Sequence, residues 1–246
     1  MYEPLTFLII ATTFVLAGTV KGITGLGLPT VILALLTIVL DLHSAMALLI
    51  IPSLCTNLWQ AFDGLHSRVV LKRCWPFLLP ATLFIGLGGQ LLTVIEPQLL
   101  SGLLGLLLIF YASLNLLGMR LQITEEQSVW LGPVLGAING TFTGMTGSFV
   151  VPGVLYLQSL GLTRDQLIQS MGMLFSLSTL ALALSLVGQG LLNTDQLLLS
   201  VTGLLPALAG MVLGKKIRQK LSEELFRKVL FLALLLLGIY IVSSLI

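Results

Sequence analysis

Two stretches of this chain, 122 residues apart, spell one pattern. Gly18-Thr19-Val20-Lys21-Gly22-Ile23-Thr24-Gly25 and Gly140-Thr141-Phe142-Thr143-Gly144-Met145-Thr146-Gly147 both read G-T-x-x-G-x-T-G. Each follows an apolar run and precedes another that opens close to a proline, Pro29 or Pro152. Glycine-broken hydrophobic segments at matching places in two halves of a membrane protein point to a transport site. Other landmarks keep the correspondence. Leu40-Asp41-Leu42 is matched by Leu160-Gly161-Leu162, and Pro80-Ala81 by Pro206-Ala207, at offsets of 120 and 126 residues. The chain is therefore expected to hold a first transmembrane repeat over residues 1–120 and a second over 121–246, together one integral-membrane domain.

Of the 246 residues 57% are hydrophobic and 9% charged, against roughly 25% charged in a soluble domain. That is too little charge to cover a water-exposed surface. Apolar runs fall near 5–20, 28–40, 44–62, 75–95 and 99–118, and again near 129–143, 149–160, 166–188, 196–214 and 225–245. The second run of each set is too short: residues 28–40 reach ~20 Å as a helix, against ~30 Å of hydrocarbon. Runs one and two of each half are thus read as a pair whose Gly-rich connection lies within the membrane, either as a re-entrant hairpin or as short crossing helices around a recessed loop. Irregular backbone survives at that depth only where protein or water covers it. The expected fold is all-α and polytopic, with two inverted-topology repeats. Each has a short re-entrant or broken helix pair and three long transmembrane helices.

Charge placement gives orientation. Arg68, Lys72, Arg73, Arg120, Arg164, Lys215, Lys216, Arg218, Lys220, Arg227 and Lys228 all fall in connections on one side, whereas those around Asp41, Glu96 and Asp195 hold no Lys or Arg. The positive-inside rule makes the basic side cytoplasmic and both termini external. Three or five crossings per half, an odd number either way, invert the second half relative to the first. The start, Met1-Tyr2-Glu3-Pro4, lacks the basic region of a cleaved signal peptide and reads as an uncleaved first segment.

Lys21 is the remaining basic residue, and it sits inside the first motif, where its counterpart is Thr143. An ionisable group within the membrane is costly and faces a cavity or a partner, unless it snorkels to a headgroup. No acid lies in the motif, so an anionic substrate suits it. Gly22, Gly25, Gly27, Gly144 and Gly147 are candidates to expose backbone N–H groups at half-helix starts, which attract oxyanions; the alternative is that they serve close helix packing. Thr24, Thr146 and Ser148 add hydroxyls. Asn57 leads a further set, with Ser53, Thr56, Gln60, Asn139, Gln169, Ser170 and Ser176, that more often bridges helices by hydrogen bonds; Gln90 and Asn115 read as packing contacts. No metal site is expected, because His43 and His66 lie in connections on opposite sides and Cys55 and Cys74 have no ligand spacing. No nucleophile–base set is visible, so no enzyme activity and no cofactor are expected. Basic residues are not interleaved with exposed aromatics, so nucleic acid is not an expected partner. The expected partners are a small anion and the lipid bilayer; oligomeric state is not legible.

At this point a resemblance appears. The block G-x-x-x-G-I-T-G-L-G-L-P at 18–29, a helix, and then L-D-L-H-S-A-M-A at 40–47 resemble the first repeat of the sulfite exporter TauE/SafE family, also called the sulfonate uptake permease superfamily. Asn57 matches an Asn that follows small residues in the family's plan, while the second half carries Leu177 there. Lys21, Gly27-Leu28 and Ser148-Phe149-Val150 depart from the usual motif. The resemblance implies a bacterial inner-membrane carrier for sulfite, organosulfonates or similar anions. Its site would be a central one built from both motifs, with alternating access between inverted halves. A membrane-embedded assembly factor and a passive anion channel are the competing readings.

Overall fold

A computed structural model describes residues 4–119, 122–220 and 222–245. Arg120 and the segment Met1-Tyr2-Glu3 lie outside the described residues. Twelve helices and no strand are found among the described residues: α1 Pro4–Thr24, α2 Leu28–Val39, α3 Leu42–Phe62, α4 Ser67–Leu83, α5 Ile85–Val94, α6 Pro97–Leu116, α7 Glu125–Thr146, α8 Gly153–Ser159, α9 Arg164–Gly188, α10 Thr194–Thr202, α11 Leu204–Arg218 and α12 Glu223–Ser243. Of these, α4–α5 and α10–α11 each run on as one apolar span, and seven spans in the described chain are long and apolar enough to cross a membrane. This is a polytopic all-α membrane protein.

Eight of the ten apolar runs became one helix each and two, near 75–95 and 196–214, became two helices in line; the pairs at the motifs are uneven. α1 has 21 residues and α7 has 22, or ~31–33 Å at 1.5 Å per residue. Only their second members, α2 with 12 and α8 with 7 residues, are short. The expectation of a pair of short helices is corrected in that respect. The first run reaches beyond its apolar residues because Lys21 and Thr24 stay helical. The sixth begins early because Thr124 caps it: its hydroxyl accepts from Gln127 N–H, and the Gln127 side chain accepts from Thr124 N–H.

Two compact units share the chain. One comprises Met1–Pro52, Pro97–Gly118 and Asn193–Ile246; the other comprises Ser53–Glu96 and Met119–Leu192. Each combines segments from both ends of the sequence. In the first unit α1 lies along α11 and α6 along α12; in the second α7 lies along α4 and α5, with α9 beside them. The boundary falls at Pro52, inside α3. Pro52 has no N–H to give the Leu48 carbonyl four residues back. Ser200 of α10 supplies the missing donor: its buried hydroxyl donates to Leu48 O at 2.7 Å and accepts from Ile51 N–H at 3.0 Å.

In both units the long contacts run through small residues. A Cβ at Gly18 would stand 2.1 Å from Ala207 O, and one at Gly22 would stand 2.4 Å from Met211 O. In the other unit, a Cβ at Gly140 would stand 2.6 Å from Ala81 O and one at Gly144 would stand 2.3 Å from Ile85 O. The motif positions are offset by 122 and their partners by 126. The two units thus repeat one packing scheme, in which each motif helix closes on the small-residue face of a helix from the other half of the sequence. Backbone approach of this kind is how helices gain contact where lipid removes the hydrophobic drive.

Candidate functional site: two backbone breaks

α1 ends one residue before a turn that the rest of the motif builds. Gly25 takes a left-handed conformation (φ 80°) and its N–H donates to Lys21 O at 2.7 Å. The Thr24 hydroxyl lies 2.9 Å from Val20 O and 2.8 Å from Leu26 O, and it accepts from Leu26 N–H at 3.2 Å. Gly27 is left-handed again (φ 98°) and starts α2, with Pro29 in the first turn, where its missing N–H leaves no helical bond unmade.

α7 ends the same way, 122 residues on. Gly147 is left-handed (φ 71°) and donates to Thr143 O at 2.8 Å. The Thr146 hydroxyl donates to Phe142 O at 2.8 Å and accepts from Ser148 N–H at 3.2 Å. Here the paths part. Thr143, at the position of Lys21, donates its hydroxyl to Ser148 O at 3.0 Å. Residues 148–150 run on without helix, the Val151–Pro152 peptide is cis, and α8 opens with Gly153 N–H donating to Asn139 Oδ1 at 2.9 Å. α8 is held at its other end too: the Arg73 guanidinium donates to Leu160 O at 3.0 Å and pairs with Glu125.

These contacts sort the residues that the motif groups together. Gly22 and Gly144 are helix-interior residues pressed on a neighbouring backbone, whereas Gly25, Gly27 and Gly147 make the breaks. The Thr24, Thr143 and Thr146 hydroxyl protons go to carbonyls, so these side chains hold the turns. Ser148 is buried beside Thr146, and Lys21 is 3% exposed in the last turn of α1. The second break is buried throughout, from Thr146 to Val151; the first is buried on both flanks, at Gly22, Ile23 and Gly27–Thr30, with Thr24–Leu26 half-buried between them. The first turn of a helix leaves donors without intrahelical acceptors, and α2 presents such a turn at Leu28–Thr30.

The further polar set bridges helices within the second unit. Asn57 Nδ2 donates to Ser53 Oγ at 2.9 Å, Ser53 meets the Thr179 hydroxyl at 3.1 Å, and Gln60 Nε2 donates to Ile168 O at 2.8 Å. Gln169 Nε2 reaches Ala61 O at 2.9 Å and Ser67 Oγ at 2.8 Å. They tie the end of α3 to α9. Ser170 and Ser176 bond within α9, and Asn115 Nδ2 donates to Tyr111 O. Arg73 was legible only as one of several loop charges. Its pairing required knowing that α4, α7 and the end of α8 meet.

Comparison with curated proteins and with solved structures finds no match. A family model, Sulfite exporter TauE/SafE, matches residues 10–241 and so takes in both motifs and all but the two ends of the chain. The chain belongs to the sulfite exporter TauE/SafE family.

Proposed function

We propose that this protein is a transporter of small sulfur-containing anions, sulfite or an organosulfonate, and that both broken segments take part in recognising the ion. The observation that carries the reading is the pair of equivalent breaks, each flanked by buried residues, in a chain of this family. The groups at the first that would meet the ion are the opening N–H groups of α2 and the Lys21 side chain. Thr24, Gly25, Gly27, Thr146, Gly147 and Ser148 set the turns, while Gly22 and Gly144 let the motif helices close on their neighbours. Thr143 supports the second segment through its hydrogen bond to Ser148 O, and Asn57, bonded to Ser53 within α3, is a further binding candidate.

In this reading the two halves arose by duplication, have opposite topology and alternate in access, with the basic connections cytoplasmic. Moving one negative charge outward down a negative-inside potential gains ~2.3 kcal/mol per 100 mV. Export then needs no coupled ion, in keeping with a sequence whose acids all lie at helix ends or in connections. The test is sulfite flux in proteoliposomes under an imposed potential. Flux should exceed that of protein-free liposomes, saturate with concentration and rise with voltage of the favourable sign. Saturation separates a carrier from a channel. Absence of flux for sulfite and for organosulfonates refutes the function and favours an assembly role.

A further inference from the structure

We propose that the side-chain amide of Asn139 is a binding group for a small oxyanion, a donor placed at the second break that the repeated motif does not contain. The inference rests on the transport reading above and adds a residue to it.

Asn139 lies on α7 and is fully buried (0% exposed). Its Oδ1 accepts from Gly153 N–H, and a Cβ at Gly153 would stand 2.6 Å from that oxygen, so the contact is close. An N–H on the other side of the bond fixes which end of the amide is oxygen, leaving Nδ2 with two donors and no ability to accept. Among the described residues Nδ2 has no hydrogen-bond partner. A buried donor left unmade costs on the order of 1–3 kcal/mol.

The fold does not ask for this group. Residue 17, the counterpart 122 positions earlier, is Ala17. α1 turns its corner with the same left-handed glycine and the same threonine bonds without an amide one turn upstream. Thr143, one turn beyond Asn139 on the same face, donates to Ser148 O. That face of α7 therefore borders the buried segment 148–151. A donor-only group there is completed by a ligand that only accepts, such as the oxygens of sulfite or a sulfonate, and would repel a cation.

The experiment titrates sulfite, sulfate and phosphate separately into the purified full-length protein and follows the melting temperature, since a ligand that binds only the folded state raises it. Asn139→Asp keeps an oxygen for Gly153 N–H and replaces both donors by charge. Asn139→Ala removes the stranded group altogether and serves if the first variant does not fold. The expected result is a saturable rise for the wild type and half-saturation at least tenfold higher for the variants. Half-saturation within twofold of the wild type, alongside wild-type binding, overturns the role of Asn139 alone and assigns Nδ2 to an ordered water. No saturable shift of the wild type with any of the three anions overturns this inference, while flux of sulfite and organosulfonates in proteoliposomes decides the transport reading separately.

Discussion

Two glycines on α5, two residues apart, give opposite expectations. A Cβ at Gly88 would stand 2.2 Å from Thr141 O and 2.8 Å from Gly144 Cα, both inside the 3.4 Å at which ordinary contact begins and the first by over 1 Å. Both obstacles are backbone, so no rotamer change relieves them and α5 must move away from α7. At Gly86, exposed on the same helix, an added Cβ meets nothing within 4 Å. Replacement by Ala gains helix propensity of ~1 kcal/mol at either position, and that gain cancels when the two variants are compared. What remains is the overpacking cost at Gly88, about 1–3 kcal/mol. Gly88→Ala should therefore melt roughly 2–12 °C below Gly86→Ala at 2–4 °C per kcal/mol for a chain of this size. The same argument fixes the sign for the first unit, because a Cβ at Gly214 would stand 2.2 Å from Thr19 O and 3.0 Å from Gly22 Cα. Gly214→Ala should fall with Gly88→Ala. The assay is thermal unfolding in detergent followed by tryptophan fluorescence. If Gly88→Ala melts at or above Gly86→Ala, the close approach of α5 and α7 is wrong, and the repeated packing scheme goes with it.

Ser200→Ala should lower the melting temperature by the equivalent of about 1–3 kcal/mol, because it strands the Leu48 carbonyl beside Pro52; an unchanged melting temperature would mean that water replaces the hydroxyl. Lys21→Met should leave the fold intact and reduce sulfite flux in proteoliposomes by an order of magnitude or more, whereas a snorkelling lysine would leave flux unchanged. Asp41 opens α3, outside the spans: burial raises its pKa, but hydrogen bonds from the Ser44 hydroxyl and N–H, with His43 nearby, outweigh that and hold it below 3.8. Its folded pKa is thus below the unfolded one, so its contribution is complete above pH 3.8 and disappears as pH falls through the folded value. Melting curves of Asp41→Asn should accordingly lie below wild type at neutral pH and converge with it in acid; a constant gap would refute the assignment.

The helical plan was legible because apolar length and scarce charge leave a membrane chain few options. Most of the ten runs came out as helices within a few residues, although the one near 75–95 begins at Ser67 and, like that near 196–214, divides in two; the turn glycines Gly25 and Gly147 were marked by the motif itself and Gly27 by the glycine-rich block that continues it. Pairing was less legible. The match of Pro80-Ala81 with Pro206-Ala207 showed that the stretches correspond, but not that each faces the motif glycines of the other half. Nor does the pattern separate Gly22 and Gly144 from Gly25 and Gly147, because every glycine reads alike until a neighbouring backbone is in place. Thr24 and Thr146 looked like substrate donors from their type alone; only the geometry of the turn shows where their protons go. Asn139 stood next to the motif and read as one more polar bridge. Its significance comes from the bond to Gly153, which fixes its orientation, and from the amide nitrogen left over.

The most direct measurement is hydrogen–deuterium exchange of the purified transporter with and without saturating sulfite, read peptide by peptide. Slower exchange at both 25–30 and 147–153, with little change along α6 and α12, is the outcome required if the two interrupted segments hold the ion. Protection confined to other regions, or none at either segment while sulfite is bound, would contradict it.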